Sequence, residues 1–193
     1  MDSGGSPSFS FTPGGVAGGL VVRRAGVADA GVLHEVAAAT FPLACPPDST
    51  RENIEAFIAV NLTAAAFEHH LVDQERTVFL AEVDGAGAGY TMLVAGEPAD
   101  PDVAAAVIRR PTIELSKFYV MPEQHGRGVA SGLMAATVDE AGRRGATSIW
   151  LGVNDQNDRA NRFYEKSGFA VVGTKRFLLG ERWESDFVRE RLL

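Results

Sequence analysis

A glycine-punctuated segment from Met121 to Met134 contains the residues best suited to bind a charged ligand. It leads from an apolar strand through Gly126-Arg127-Gly128 directly into the start of a helix. The first amides of a helix have no partner within the helix and the helix dipole adds partial positive charge, so such a segment binds phosphate groups. Glycines let the backbone bend and approach a ligand without Cβ atoms in the way. The segment therefore predicts a site for a pyrophosphate-bearing cofactor.

Three phosphate-binding motifs differ in the residues that accompany the glycines. A P-loop needs Gly-Lys followed by Ser or Thr, and no lysine lies between Lys117 and Lys166. A dinucleotide fingerprint needs a third Gly or Ala at the position of Ser131, which makes that motif a weak match. The remaining pattern, Gln/Arg-x-x-Gly-x-Gly/Ala, is met from His125 to Ala130 with histidine in the first place.

This third motif resembles the acyl-CoA site of the GCN5-related N-acetyltransferases (GNAT). In that family a strand and then Asn-x-x-Ala-x-x-Phe-Tyr-x-x-x-Gly-Phe follow the pyrophosphate helix. The chain has Ser148–Val153 and then the matching residues from Asn157 to Phe169. The resemblance implies an α/β fold, with a mixed, mostly antiparallel sheet of six to seven strands, a central splay, and helices on both faces.

Length and composition bound the remaining possibilities. A chain of 193 residues that is 46% hydrophobic can bury one substantial core. Residues 1–19, rich in Gly, Ser and Pro, are predicted to be a flexible tail, and residues 20–193 the acetyltransferase domain. No apolar run reaches the roughly 18 residues of a membrane span, and the start of the chain does not have the pattern of a signal peptide. With a single cysteine, Cys45, these features predict a cytoplasmic protein.

Charge and metal-ligand spacing exclude two further classes of ligand. The net charge of −7 disfavours nonspecific nucleic-acid binding, which depends on clustered Lys and Arg. The adjacent His69 and His70 would point about 100° apart on a helix and complete no ligand spacing, so no metal is predicted. Cys45 lies in a Pro-rich stretch with no catalytic motif around it.

Hydrophobic periodicity predicts alternating strands and helices. The Asp84-Gly85 pair predicts a hairpin turn, Ser49 to Glu52 has the spacing of a capping box, and Gly168 predicts a left-handed helix end. The predicted strands are 20–24, 77–83, 88–95, 112–120, 148–153, 170–178 and 183–191, the last two joined around Gly180. The predicted helices are 29–39, 49–62, 64–73, 103–108, 128–144 and 158–167.

The resemblance implies a cofactor site made largely of backbone groups. The pantetheine arm of acetyl-CoA would pair with the strand residues Phe118, Tyr119 and Val120. The pyrophosphate would meet the segment Gly126, Arg127, Gly128, Val129, Ala130 and Ser131. Asn157 has two plausible roles, capping the next helix and contacting pantetheine. Arg127 would meet a phosphate or only solvent, and His125 is interpreted as a turn residue.

Two side chains are candidates for proton transfer, one as a base and one as an acid. A base is needed because an ammonium must lose a proton before it can attack. Relatives that acetylate protein N-termini have a glutamate where this chain has Gly152. The histone-acetyltransferase branch has one six residues before the end of the pantetheine-pairing triplet, at the position of Glu114. Glu114 is therefore either the base, acting directly or through water, or a structural carboxylate. Tyr164 matches the tyrosine that protonates the leaving thiolate, and otherwise it is a core residue.

A narrower resemblance, from Ile113 to Asp186, is to the bacterial spermidine/spermine acetyltransferases. The chain departs from them at Asn154 and Lys175, where they often have tryptophan and histidine. The resemblance implies acetyl transfer from acetyl-CoA to a polyamine in a ternary complex, with the substrate held by carboxylates such as Glu114, Glu181, Glu184 or Asp186. The alternatives are a protein lysine or N-terminal acetyltransferase and a non-catalytic acyl-CoA-binding module. Dimers are common in the family, so the resemblance allows a homodimer.

Overall fold

A computed structural model of the chain describes residues 19–45, 49–179 and 182–193. The tail predicted for residues 1–19, apart from Gly19, lies outside the described residues, as do Gly180 and Glu181. The strands are β1 (Leu20–Arg24), β2 (Arg76–Val83), β3 (Ala86–Ala95), β4 (Thr112–Val120), β5 (Ser148–Asn154), β6 (Ala170–Leu179) and β7 (Arg182–Leu192). The helices are α1 (Ala30–Ala44), α2 (Arg51–Asn61), α3 (Ala64–Val72), α4 (Pro101–Ala106), α5 (Val129–Arg143) and α6 (Asp158–Lys166).

The described strands form one seven-stranded sheet in the order β1-β2-β3-β4-β5-β7-β6. All neighbouring strands are antiparallel except the central pair, β4 and β5, which are parallel. These two strands pair only from Thr112 to Glu114, against Ser148 to Trp150. Beyond Glu114 the ladder between them stops, which confirms the central splay and the fold class expected from the sequence.

Helices cover both faces of the sheet because neighbouring strand residues point in opposite directions. On β2, Val78 and Leu80 belong to a buried cluster with residues of α1 and α3. Phe79 and Ala81 belong to a second cluster that includes Leu133 of α5. The face under α1 and α3 is called the acceptor face below, and the face under α5 the cofactor face.

Turn chemistry agrees with the sequence at two turns that need a left-handed backbone. Asp84 and Gly85 have φ values of 54° and 80° in the turn between β2 and β3. Gly168 has a φ of 86° and follows Ser167, the C-cap of α6. No helix among the described residues is both long and apolar enough to cross a membrane.

Helix boundaries differ from the predictions where caps and packing decide them. The capping box assigned to Ser49 is wrong by one residue: Thr50 is the cap, and its side chain accepts a hydrogen bond from the Asn53 amide at 3.2 Å. The helix predicted for 103–108 begins earlier, because Asp100 caps it and Pro101 suits a first turn. The helix predicted to end at Ala39 continues to Ala44, since Thr40 is buried against the core and donates back to the Val36 carbonyl.

Gly89 on β3 lies opposite Val120, where no side chain fits between the strands. A Cβ atom at Gly89 would lie 2.7 Å from the Tyr119 carbonyl oxygen and 3.2 Å from the Val120 Cα. Because backbone atoms cannot move aside as a side chain can, we expect Gly89→Ala to lower the free energy of unfolding by about 1–3 kcal/mol. Urea denaturation measures this. Gly142→Ala is the control, because a Cβ there meets nothing within 4 Å, and a wild-type midpoint for Gly89→Ala would contradict the prediction.

Candidate active site

The loop before α5 is shaped by two glycines in the left-handed region. A short 3-10 turn, Pro122–Gln124, leads to Gly126 and Gly128, whose φ values are 80° and 83°. Gly128 is the N-cap of α5, and the first helical bond of α5 runs from the Gly132 amide to the Gly128 carbonyl at 2.9 Å. The amides of residues 129–131 therefore precede the first bond of the helix and have no partner within it. A Cβ added at either left-handed glycine would meet nothing within 4 Å, so the space above the loop is open.

The end of β4 lies beside this loop at the splay. Phe118 packs against Phe163 and Tyr164 of α6, with ring centroids 5.1 and 6.1 Å apart. Tyr119 points to the acceptor face and stacks on Tyr90 at 5.5 Å. Since β4 and β5 no longer pair here, the backbone edge of β4 is open to an extended ligand at the residues predicted to bind pantetheine.

Helix α6 holds the predicted acid at the same end of the splay. Asn157 caps the helix, accepting from the Ala160 amide at 3.1 Å, so its capping role is confirmed. Tyr164 is ringed by Phe118, Phe163 and Phe169. Burial raises the pKa of Tyr164 well above its ordinary value. The phenol therefore keeps its proton at neutral pH and is available as a donor.

Asn161 anchors α6 to the sheet, a role that the sequence analysis missed. Its side-chain amide donates to the Asn154 and Asn157 carbonyls at 2.9 and 3.0 Å. Its carbonyl oxygen accepts from Arg189 of β7 at 3.0 Å. Asn161 is only 8% exposed, and a polar residue on the inward side of an amphipathic helix is the sequence signal that could have identified it.

A β-bulge brings two charged residues of β4 onto the acceptor face. Lys117 lies opposite Met92 and Leu115 lies opposite Leu93, which leaves Ser116 as the extra residue. Glu114 and Lys117 therefore share a face although they are three residues apart. Burial raises the pKa of Glu114, whereas the positive charges of Lys175, Lys117 and Arg76 oppose this rise.

Gly152 on β5 is crossed by a lysine side chain from β6. A Cβ atom at Gly152 would lie 2.8 Å from Lys175 Cε, 3.0 Å from Lys175 Nζ and 3.3 Å from Asp186 Oδ2. The missing side chain at Gly152 thus gives Lys175 the room to reach across β7 and β5 towards Glu114. The sequence analysis noted both Gly152 and Lys175 but did not bring them together.

The remaining candidates fall into three groups. The side chains of His125 and Arg127 are exposed, and Arg127 donates to Gln124 at 3.1 Å. Cys45 donates to the Phe41 carbonyl, and burial raises the pKa of its thiol. In the described part of the chain, no group of three or more His, Cys, Asp or Glu residues could hold a metal ion.

Two cavities lie along α6 on the cofactor side. One, of about 400 Å³, lies between α5 and α6 and is lined by Ser131, Met134, Ala135, Val138, Asp139, Phe163, Ser167 and Arg191. The other, of about 330 Å³, is lined by Arg159, Arg162, Phe163 and Lys166. The cationic rim of the second cavity, which the sequence analysis did not single out, suits an anionic ligand.

The family follows from sequence comparison. A sequence model of the acetyltransferase (GNAT) family matches residues 35–169. The chain belongs to this family. An uncharacterized N-acetyltransferase of Mycobacterium tuberculosis is 44% identical over 165 residues, which cover 86% of this chain and 98% of that protein. An uncharacterized N-acetyltransferase of Lactobacillus delbrueckii is 24% identical over 151 residues, covering 76% of this chain and 82% of that protein.

Solved structures share this GNAT fold at low sequence identity. The PaiA N-acetyltransferase of Thermoplasma acidophilum, in complex with coenzyme A, has a TM-score of 0.71 at 21% identity, covering 91% of this chain and 99% of its own. The ribosomal-protein-S18-alanine N-acetyltransferase of Escherichia coli has a TM-score of 0.63 at 16% identity, covering 90% and 93%. At these identities the likeness shows the fold alone, and the family places this GNAT chain among the acetyltransferases.

Proposed function

We propose that this GNAT protein transfers the acetyl group of acetyl-CoA to a primary amine by direct attack in a ternary complex. One observation carries the proposal: the open left-handed loop at Gly126 and Gly128 leads into the unpaired amides of α5, directly beside the splay of β4 and β5. Helix amides of this kind bind a pyrophosphate, and an open strand edge pairs with an extended arm. Structural neighbours have been solved with coenzyme A and with acetyl-CoA.

In this mechanism the main contribution is positioning of the thioester and the amine, which is worth about 7–11 kcal/mol when the geometry is good. The Val120 amide would donate to the carbonyl oxygen as negative charge develops there. Glu114 would take the proton from the ammonium, directly or through water. Tyr164 would protonate the thiolate as it leaves, and a Tyr164→Phe variant with wild-type kcat would contradict that role.

The proposal also concerns the chemical identity of the acceptor amine. The sequence predicts a polyamine, held by carboxylates. Of the four carboxylates considered for it, Glu181 lies outside the described residues and the side chain of Glu184 is not described. Glu114 and Asp186 are described, and both lie beside lysine ammonium groups. A protein lysine or N-terminal amine is the second candidate acceptor.

The cytoplasmic location and the homodimer stay predictions from the sequence.

An amine-panel assay tests the function. Purified protein with acetyl-CoA is expected to release free thiol in the presence of at least one primary amine, measured with a thiol-reactive dye. The panel contains spermidine, spermine, simple alkylamines, ω-amino acids and lysine-containing and N-terminal peptides, and mass spectrometry identifies the acetylated product. Affinity for acetyl-CoA with no turnover of any amine would instead favour a non-catalytic acyl-CoA-binding module.

A further inference from the structure

Lysine is rare in this chain and concentrated at one place. Only three lysines occur, Lys117, Lys166 and Lys175. Two of them, Lys117 and Lys175, come from strands on either side of the splay and lie on the acceptor face close enough to Glu114 to influence its charge. The third, Lys166, lies on α6 beside Arg159 and Arg162.

Lys117 is a partly buried cation without a close counter-ion. Among the side chains that the structure describes, no carboxylate forms an ion pair with its ammonium group. Burial lowers the pKa of Lys117, and the attraction of Glu114 does not offset this. Arg76, whose own partner is Asp73 at 3.0 Å, adds positive charge on the same side. Burial lowers the pKa of His70 of α3, and the positive charges of Arg76 and Lys117 lower it further.

Lys175 brings a second ammonium to the same face. Its side chain lies over Gly152, where a Cβ atom would come within 3.0 Å of the Lys175 ammonium nitrogen. On β4 and β7, the two strands nearest Lys117 and Lys175, the described carboxylates of this face are Glu114, Asp186 and Glu190. Glu190 is only 7% exposed and lies opposite Trp150, in the buried layer under α4. Among the described side chains of β4, β6 and β7 on this face, the accessible cations, Lys117 and Lys175, are therefore as many as the accessible carboxylates, Glu114 and Asp186.

This charge pattern is the reverse of what a polycation needs. An acceptor with several ammonium groups would bring further positive charge against Lys117 and Lys175, and like charges in a partly desolvated site repel each other. An acceptor with one acid group would instead supply Lys117 with the counter-ion that the described side chains lack. Its amine would still reach Glu114 and the thioester.

We propose that the acceptor of this enzyme is an amine that also has a carboxylate or another acid group. Lys117 and Lys175 bind this acid group, while Glu114 takes the proton of the amine. The inference rests on the proposed acetyltransferase function and specifies its substrate class. Lys117 lies three residues before Val120 on β4, a distance of roughly 10 Å along a strand. The acid group is therefore expected within a few bonds of the amine.

The experiment compares acids with their matched amides. Glycine, β-alanine, γ-aminobutyrate and δ-aminovalerate are each assayed beside the corresponding carboxamide, which has the same length and no negative charge. In the wild-type enzyme we expect kcat/KM to favour the acid over its amide at the best chain length. In Lys117→Met this preference is expected to fall by roughly ten- to a hundredfold, the usual effect of a charged hydrogen bond. Dividing the acid-to-amide ratio of kcat/KM in the wild type by the same ratio in the variant cancels the effect of the different amine pKa values of acid and amide.

Two further variants separate recognition from folding and general charge effects. Lys175→Met, on a different strand, is expected to reduce the same preference even if Lys117→Met does not fold, and Lys117→Arg is expected to retain it. Arg176→Met is the matched control: it removes the same charge from the next residue of β6, an exposed residue whose side chain points to the opposite side of the strand. Its acid preference should equal that of the wild type.

The outcomes distinguish this inference from the function beneath it. Equal turnover of acids and amides, or an unchanged ratio in both lysine variants, would overturn the inference and leave the acetyltransferase in place. So would turnover of spermidine with none of the amino acids. A complete lack of turnover with every amine would end both proposals, while calorimetry with CoA would still report on the cofactor site.

Discussion

Glu114→Gln is expected to lower kcat by about 10²–10⁴-fold at neutral pH, the range typical of a lost general base. Glutamine keeps the size and polarity of the side chain but cannot accept the proton of the attacking ammonium. Because burial raises the pKa of Glu114, kcat/KM of the wild type should rise with pH through a value above that of an ordinary glutamate. This acid limb should be absent in Glu114→Gln. Thiol release measured between pH 5 and 9 tests both expectations.

Glu82→Gln is the matched control for this experiment. Glu82 is also a partly buried strand carboxylate, but it lies on β2, which is separated from β4 by β3, and it pairs with Arg23 at 2.8 Å. Its kcat and pH profile should equal those of the wild type. Calorimetry should find unchanged CoA affinity in both variants. Wild-type kcat and an intact acid limb in Glu114→Gln would reduce Glu114 to a structural carboxylate.

Gly128→Val is expected to weaken CoA binding by roughly a hundredfold or more. Gly128 has a φ of 83°, a conformation that costs a non-glycine residue about 1–3 kcal/mol. If the loop relaxes to relieve that strain, the amides at the start of α5 no longer converge on the pyrophosphate. Each charged hydrogen bond lost costs about 1.5–3 kcal/mol, so two of them account for the expected fall. Calorimetric titration with CoA measures it.

Gly85→Val separates loss of the binding site from loss of stability. Gly85 has a φ of 80°, and a Cβ there also meets nothing within 4 Å. The two substitutions therefore impose similar backbone strain, one in the loop proposed to bind the cofactor and one in the turn between β2 and β3. Thermal unfolding should show comparable destabilisation, whereas only Gly128→Val should lose affinity. Equal CoA affinity in the two variants would argue against a pyrophosphate site at this loop.

The backbone geometry of the proposed cofactor site was predictable from sequence because it is local. The glycine loop and the start of α5 are contiguous from Gly126 to Ser131, and the helix cap at Asn157 acts on the Ala160 amide three residues later. Such features depend on backbone conformation and hydrogen bonds over a few residues, which residue types express directly. The extent of β4, Thr112–Val120, was predicted without error for the same reason.

The acceptor half depended on tertiary structure. Glu114 and Lys117 share a face only because a bulge at Ser116 shifts the alternation of β4 against β3. Lys175 reaches this face because β7 inserts between β5 and β6 and because Gly152 leaves its path open. Sequence alone therefore determined that this chain has the motifs of an acyl-CoA-binding acetyltransferase. Strand order and register, set by long-range packing, decided which charges an acceptor would meet.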